Sequence, residues 1–345
     1  MVAMLQKEIE LRANYLPKRQ LSTIYLGGGT PSLLSAEELN ALFETIYRLF
    51  AIDGDAEITL EANPDDLTPA KLAELRKTPV NRLSVGIQSF FDEDLQFMNR
   101  AHNAREAEAC IARARNAGFA SFTIDLIYGS PTTTDAHWVS NLHKAFALDI
   151  PHISCYCLTV EPRTALDHFV RQGKVKPVDD DQAARQFELL LREMETNGYE
   201  QYEISNFARD GAYARHNTAY WQGKPYLGIG PSAHSFDGTS RQWNLANNAR
   251  YIKEMQQATG GIPEALYTRE EMDPTTQYNE YIMTGLRTKW GVNPECLAAE
   301  YKLYFQREAA RHVRAGMMEV NKGSYVLTPA GRLIADRLTM DLFYD

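Results

Sequence analysis

Cysteine is scarce: 345 residues hold four, Cys110, Cys155, Cys157 and Cys296, and none precedes Cys110. That number and scatter exclude a disulfide framework, agree with a reducing compartment and leave no C-x-x-C spacing of the zinc type. Cys155 and Cys157 share one face of a strand, too far apart along it for an unstrained disulfide, and all four read as small buried hydrophobes. Positive charge is short too. Lys and Arg number 36 against 45 Asp and Glu, a net charge of −9, which argues against a general nucleic-acid binder and against adhesion to an acidic membrane. No apolar run approaches the ~20 residues that cross a bilayer, and Met1 to Tyr15 is too charged for a signal peptide. Repeats of solenoid length and low-complexity tracts are absent. The expectation is a soluble, cytoplasmic protein with one large α/β domain and a smaller one, since domains run to ~100–200 residues.

What the chain does have is organised around Thr23-Ile24-Tyr25-Leu26-Gly27-Gly28-Gly29-Thr30-Pro31-Ser32. The uninterrupted run from Thr23 to Leu26 predicts a strand buried on both faces. Three glycines then end it, leaving backbone N–H groups that no Cβ shields, so a polar ligand can reach the main chain. Ser35-Ala36-Glu37-Glu38 fits a capping box, and Leu39, Leu42, Phe43, Ile46, Leu49 and Phe50 recur along one helix face. The glycines lack the Lys-Ser/Thr of a P-loop and the spacing of the dinucleotide fingerprint.

The alternation goes on. A helical piece over Met1 to Arg12 precedes the glycine strand. After it come strands at Ala56–Leu60, Arg82–Ile87, Phe122–Leu126, Ile153–Thr159 and Glu200–Ile204. Helices are predicted from Pro69, after an Asn103 to Glu106 cap, over Thr134–Phe146 and over Asp181–Asn197. This order predicts a parallel sheet with right-handed crossovers. Thr30, Glu61, Gln88 and Asp125 sit at or just after strand ends, the side on which such sheets bind ligands. A loop rich in Gly, Asn and Tyr spans Ser205 to about Asn248, and composition shifts near Gly260-Gly261-Ile262-Pro263. Helices over Gln277–Thr288 and Glu295–Arg314, a hairpin turning at Asn321-Lys322-Gly323-Ser324 and a helix restarting at Thr328-Pro329 resemble a winged-helix module.

Gly27-Gly28-Gly29-Thr30-Pro31, Glu61-Ala62-Asn63-Pro64, Val85-Gly86-Ile87-Gln88-Ser89, Asn99-Arg100-Ala101-His102 and Ile124-Asp125-Leu126-Ile127-Tyr128-Gly129 resemble, in order and spacing, the radical-SAM proteins related to oxygen-independent coproporphyrinogen III oxidase. His216-Asn217-Thr218-Ala219-Tyr220-Trp221 matches the H-N-x-x-Y-W motif of the HemW haem-chaperone branch. The resemblance runs over essentially the whole chain. It implies an α/β fold, an incomplete parallel (β/α) barrel of radical-SAM type over residues 1–262, carrying the haem-motif loop, and a helical winged-helix-like module over 263–345. It also implies that Gly27, Gly28, Gly29, Thr30, Glu61, Gln88, Arg100 and Asp125 bind S-adenosylmethionine (SAM). In that assignment the glycine-turn carbonyls and Glu61 take the α-amino group, Arg100 the carboxylate, and Gln88 and Asp125 the ribose hydroxyls. His216, Asn217, Tyr220 and Trp221 would handle haem, with His216 on the iron and His234 a weaker second ligand. Taken singly, each of these residues could equally cap a loop, pair on the surface or pack.

The family's [4Fe–4S] cluster hangs on a C-x3-C-x2-C motif upstream of the glycine turn, and that motif is not in this sequence. Met1 opens inside what reads as the helix of a first βα unit. The expectation is therefore an N-terminally shortened chain, its first βα unit lost, in which SAM cleavage fails and no cysteine is a cluster ligand. The functional expectation is a haem chaperone that delivers haem to acceptor proteins, respiratory enzymes among the candidates, without binding nucleic acid or spanning a membrane. The alternative is an oxidase that decarboxylates porphyrinogen propionates. A folded but inactive remnant is a third reading.

Overall fold

The computed structural model describes residues 1–344. Twelve strands are present among them: β1 Gln20–Leu26, β2 Ala51–Ala62, β3 Arg82–Gln88, β4 Ser121–Tyr128, β5 His152–Cys157, β6 Glu200–Gln201, β7 Asn206–Ala208, β8 His234–Phe236, β9 Ser240–Asn244, β10 Tyr267–Glu271, β11 Met318–Asn321 and β12 Ser324–Leu327. Seven of them hydrogen-bond in the order β1-β2-β3-β4-β5-β7-β6. The chain divides into two compact units. One comprises Met1–Gly28, Leu34–Ile58 and the chain from Arg215 onward, the other Gly29–Leu33 and Thr59–Ala214, so that β2 runs from one into the other.

In the second unit β2, β3, β4 and β5 are parallel, and helices follow the strands as the sequence predicts. The sheet is nevertheless mixed: β7 pairs antiparallel with both β5 and β6. The predicted strand Glu200–Ile204 shrinks to two residues, because the chain turns at Glu203 and comes back as β7. Register places Thr59 and Glu61, Arg82 and Ser84, Thr123 and Asp125, His152 and Ser154, and Asn206 on one face. The interior of a (β/α) barrel is usually packed with Val, Ile and Leu; here that face is polar. The opposite face, with Leu60, Leu83, Phe122, Ile124, Leu126 and Ile153, is buried. Behind it Trp138 packs against Tyr128, with ring centroids 5.3 Å apart and planes tilted by 38°, and donates Nε1–H to the Gln186 carbonyl at 3.0 Å.

In the first unit the helix Val2–Leu11 packs Ile9 against Leu42 and Phe50, from the helix Ala36–Leu49 and the residue after it. The Ser35/Glu38 capping box is formed. β1 differs from the reading. It is first in the strand order, Ile24 is its most buried residue, and Tyr25 is 38% exposed. A strand with a neighbour on one side only leaves one edge to solvent. The region Ser205–Asn248 is not a loop either: it holds β7, the helix Arg215–Trp221, β8 and β9, and β8, β9 and β10 form an antiparallel sheet. Towards the C-terminus the helices Pro274–Leu286 and Ala299–Arg314, the β11/β12 hairpin and the short helices Pro329–Arg332 and Ala335–Met340 appear in the predicted order. The hairpin closes with Asn321 opposite Ser324 and with both central residues at positive φ, Lys322 at 48° and Gly323 at 88°, the conformation that matches strand twist.

Candidate functional site

In the second unit the polar strand ends form one group, tied together from the glycine turn onward. The Thr30 carbonyl accepts from Leu33 N–H at 3.1 Å, opening the single 3-10 turn Pro31–Leu33. Ser32 Oγ donates to Asp66 Oδ2 at 2.7 Å, and Asn63 Nδ2 reaches the same oxygen at 3.3 Å. Asn63 Oδ1 in turn accepts from Arg100 Nη2 at 2.8 Å, and the Gly86 carbonyl takes a second, longer bond from that nitrogen at 3.3 Å. Gln88 stands just beyond an irregularity in the β3/β4 register, in the left-handed region at φ 65°. A non-glycine residue is held there only where its surroundings fix the backbone. A Cβ on Gly86 would lie 2.8 Å from Gln88 Nε2 and 3.1 Å from Arg100 Nη2, so both side chains lie across the bare glycine backbone.

Asp125 is half-buried within β4, three residues before its end. Its carboxyl is pushed up to about 7, chiefly by burial and further by Glu61, against the lowering pull of Ser154, Arg82 and Arg100. Glu61, Gln88, Arg100 and Asp125 are thus brought to one face, each with part of its surface in solvent. Gly28, at φ 76°, and Gly29 have nothing within 4 Å of where a Cβ would stand, and the stretch Gly27–Thr30 is exposed. Ser32, Asn63, Asp66 and Gly86 belong to this group and were missed as site residues. Asn63 and Gly86 lay inside quoted motifs, but no local signal marks them as supports.

The sign of the Asp125 effect is testable. A carboxyl whose folded value is raised from 3.8 contributes stability that is fully present below the lower value and lost as pH rises through about 7. Asp125→Asn is therefore expected to gain stability relative to the wild type between pH 5 and pH 8, in denaturant midpoints measured at both. A constant difference would mean that Asp125 titrates normally.

In the first unit the H-N-x-x-Y-W stretch is a helix, Arg215–Trp221, not a loop. Its start is held from β2: the Glu57 carboxylate accepts from the backbone N–H of Arg215 at 2.9 Å and of His216 at 3.0 Å. His216 Nδ1 lies 2.9 Å from Thr23 Oγ1, and the ring stacks on Tyr25 with centroids 4.9 Å apart and planes 20° off parallel. Burial lowers the imidazole's pKa and Glu57 opposes that, so the ring is neutral at pH 7. Tyr220, 47% exposed, sits edge-on to Trp221 and 5.2 Å from Tyr226. The Arg287 guanidinium lies 5.6 Å over the Trp221 ring, whose Nε1 is buried without a hydrogen-bond partner. Asn217 is half-buried on the same helix; His234 is exposed and stacks on Trp243 at 6.2 Å.

The cysteines do not suit a cluster. Cys110 and Cys155 are buried, Cys157 is half-buried, and Cys296 is exposed rather than packed as expected, lying in the one-turn helix Pro294–Cys296. Among the described residues no three His, Cys, Asp or Glu side chains are grouped to hold a metal ion, and no helix is long and apolar enough to cross a membrane.

Residues 1–145 match the model of the Radical SAM superfamily. In structure the chain is similar to coproporphyrinogen III oxidase from Escherichia coli, with a TM-score of 0.82 at 23% identity over 99% of this chain and 82% of that one. At that identity the likeness shows the fold alone: α/β, of the radical-SAM barrel type. In sequence it is similar to the heme chaperone HemW of Mycobacterium tuberculosis, 35% identical over 98% of this chain and 85% of that protein. The Bacillus subtilis protein of the same name is 34% identical over 92% and 84%. The chain belongs to the HemW family.

Proposed function

We propose that this chain is a haem chaperone that binds haem at the Arg215–Trp221 helix and passes it to acceptor proteins. The observation that carries the reading is identity of 34–35% to proteins named heme chaperone over 92–98% of the chain, together with the setting of His216. In the tautomer that carries its proton on Nδ1, the neutral imidazole donates to Thr23 Oγ1 and keeps the Nε2 lone pair for iron, the usual second-shell arrangement of a histidine ligand. Tyr25 fixes the ring plane, Glu57 fixes the helix, and Tyr220 offers an aromatic face to a porphyrin. Asn217 and Trp221 complete the motif. His234 is the second candidate ligand.

SAM is proposed for the strand-end group of the second unit, with Gly29, Thr30 and Glu61 toward the amino group, Arg100 toward the carboxylate, and Gln88 and Asp125 toward the ribose. SAM and a [4Fe–4S] cluster are the cofactors that the superfamily implies, and together they supply radical chemistry when bound. The four cysteines of this chain are not a fitting ligand set, so no step is routed through a cluster.

Haem titration followed by absorbance tests the chaperone reading. His216→Ala is expected to weaken binding by ~100-fold and to change the Soret band. Thr23→Val, which keeps the ligand but frees its ring, should weaken it by about 10-fold, at the lower end of what an outer-shell partner contributes. If His216→Ala binds haem as the wild type does, His216 is not the ligand.

A further inference from the structure

Two members of the strand-end motifs have no place in the reading above: Ser89, directly after Gln88, and His102, on the loop that carries Arg100. Both bear on the backbone at Gln88. Ser89 N–H donates to the Ile87 carbonyl at 2.8 Å, a bond that spans only the one residue at φ 65°. That is a γ-turn of the rare, strained hand, and a residue with a side chain stays at its centre only while other contacts hold the flanks.

Both flanks are held from buried positions. On one side the Ile87 carbonyl also meets His102 Nε2 at 3.0 Å. A carbonyl only accepts, so Nε2 carries a proton and donates it. His102 is buried, and from the same loop Arg100 Nη2 donates to the Gly86 carbonyl at 3.3 Å. On the other side Ser89 Oγ donates to Asp94 Oδ2 at 2.8 Å and accepts from Asn141 Nδ2 at 3.1 Å and Phe91 N–H at 3.2 Å. Asn141 Oδ1 takes the Phe90 N–H at 2.7 Å, and Asp94 Oδ1 takes the Thr132 hydroxyl at 2.7 Å. Ser89, Asp94 and Asn141 are all 0% exposed. Asp94 lies on the helix Asp92–Phe97 and Asn141 on the helix Asp135–Ala147, so the turn is fastened to two helices and to the Arg100 loop.

We propose that Ser89, Asp94, Asn141 and His102 are positioning residues that hold this γ-turn closed before any ligand arrives, and so aim the Gln88 amide across Gly86 beside Arg100. The proposal rests on the reading of Gln88 as a SAM contact. Gln88 Nε2 and Arg100 Nη2 stand 2.8 and 3.1 Å from where a Gly86 Cβ would lie, and a backbone relaxed to negative φ would carry the amide away from that place. The strain is offset on folding, by contacts that the ligand does not make, so the site is preorganised.

The turn and the ligand can be read separately. At ordinary φ Ala is more stable than Gly, and at positive φ the order reverses. Gln88→Gly is therefore expected to unfold at a higher denaturant concentration than Gln88→Ala. Adding Ser89→Ala to both should restore the ordinary order, because the turn then opens. His102→Leu should do the same from the other flank, whereas His102→Gln, whose Nε2 can still donate to Ile87, should not; His102→Leu decides if the Ser89→Ala chains fail to fold. Gln88→Ala more stable than Gln88→Gly at the outset, or an order that survives Ser89→Ala or His102→Leu, overturns the proposal. SAM affinity, by equilibrium dialysis, is expected to fall about 10-fold in Ser89→Ala, the worth of one well-placed hydrogen bond, and to fall no further when Ser89→Ala is added to Gln88→Ala. An equal loss in both backgrounds would mean that Ser89 does not act through Gln88, and sinks the idea. No SAM binding by the wild type, or undiminished binding by Gln88→Ala, would instead remove Gln88 from the SAM site, and the order of unfolding would still decide the turn.

Discussion

Arg12→Ala is expected to lower the stability of the first unit by about 3–5 kcal/mol, the cost of leaving a buried charge without its partner. Glu8 and Arg12, one turn apart on the helix Val2–Leu11 and its cap, are 1% and 5% exposed and pair at 3.0 Å. The Glu8 carboxylate also accepts from Gly230 N–H, Asn244 Nδ2 and Tyr251 hydroxyl, at 2.8, 2.8 and 2.7 Å. Arg12 donates to Asn244 Oδ1 at 2.8 Å and lies over the Tyr267 ring. Burial lowers the guanidinium's pKa while Glu8 pulls it back up. Removing Arg12 strands a carboxylate held by three remaining neighbours, Gly230, Asn244 and Tyr251. Replacing both residues, as in Glu8→Gln/Arg12→Met, should cost less than Arg12→Ala alone, because no charge is left behind. Denaturant unfolding of the three chains checks this. A single-variant cost under about 1 kcal/mol would mean that water reaches the pair.

Gly86→Ala should act the other way, sparing the fold and damaging the site. Its Cβ would meet the ends of two side chains, Gln88 at 2.8 Å and Arg100 at 3.1 Å, with the nearest backbone atom 4.0 Å away. Flexible ends can move aside, so the unfolding midpoint should barely change. Both displaced groups are proposed SAM contacts, however, and a shift of about 1 Å in positioning groups can cost on the order of 100-fold. SAM affinity, measured by equilibrium dialysis, is expected to drop by that order. Unchanged affinity would remove Gln88 and Arg100 from the site.

Features written within a few residues were legible. The Ser35/Glu38 and Asn103/Glu106 capping boxes form as the sequence predicts, and so does the turn at Lys322-Gly323. A cap, a helix period and a tight turn each depend on neighbours three or four positions away, so local side-chain chemistry decides them. Motif order by itself also points to the family. The edge exposure of β1 was not legible, since nothing in Thr23–Leu26 says how many strands flank it. Nor was the reversal at β7: a short run after a helix carries no sign of its direction.

By itself the sequence determined the βα alternation, the C-terminal helix–helix–hairpin–helix order, the family, and four of the polar residues that meet at the strand ends. Tertiary structure alone decided what supports them. Glu57 caps a helix that starts 158 positions later, Thr23 meets the ring of His216, Glu8 meets Asn244, and Asn206 meets Ser154. The physical reason is that these contacts join groups far apart in the chain. Hydrogen-bond partners are fixed only once sheet register and packing have brought the backbones together, and desolvation, which sets the protonation of Asp125 and His216, exists only in the folded state.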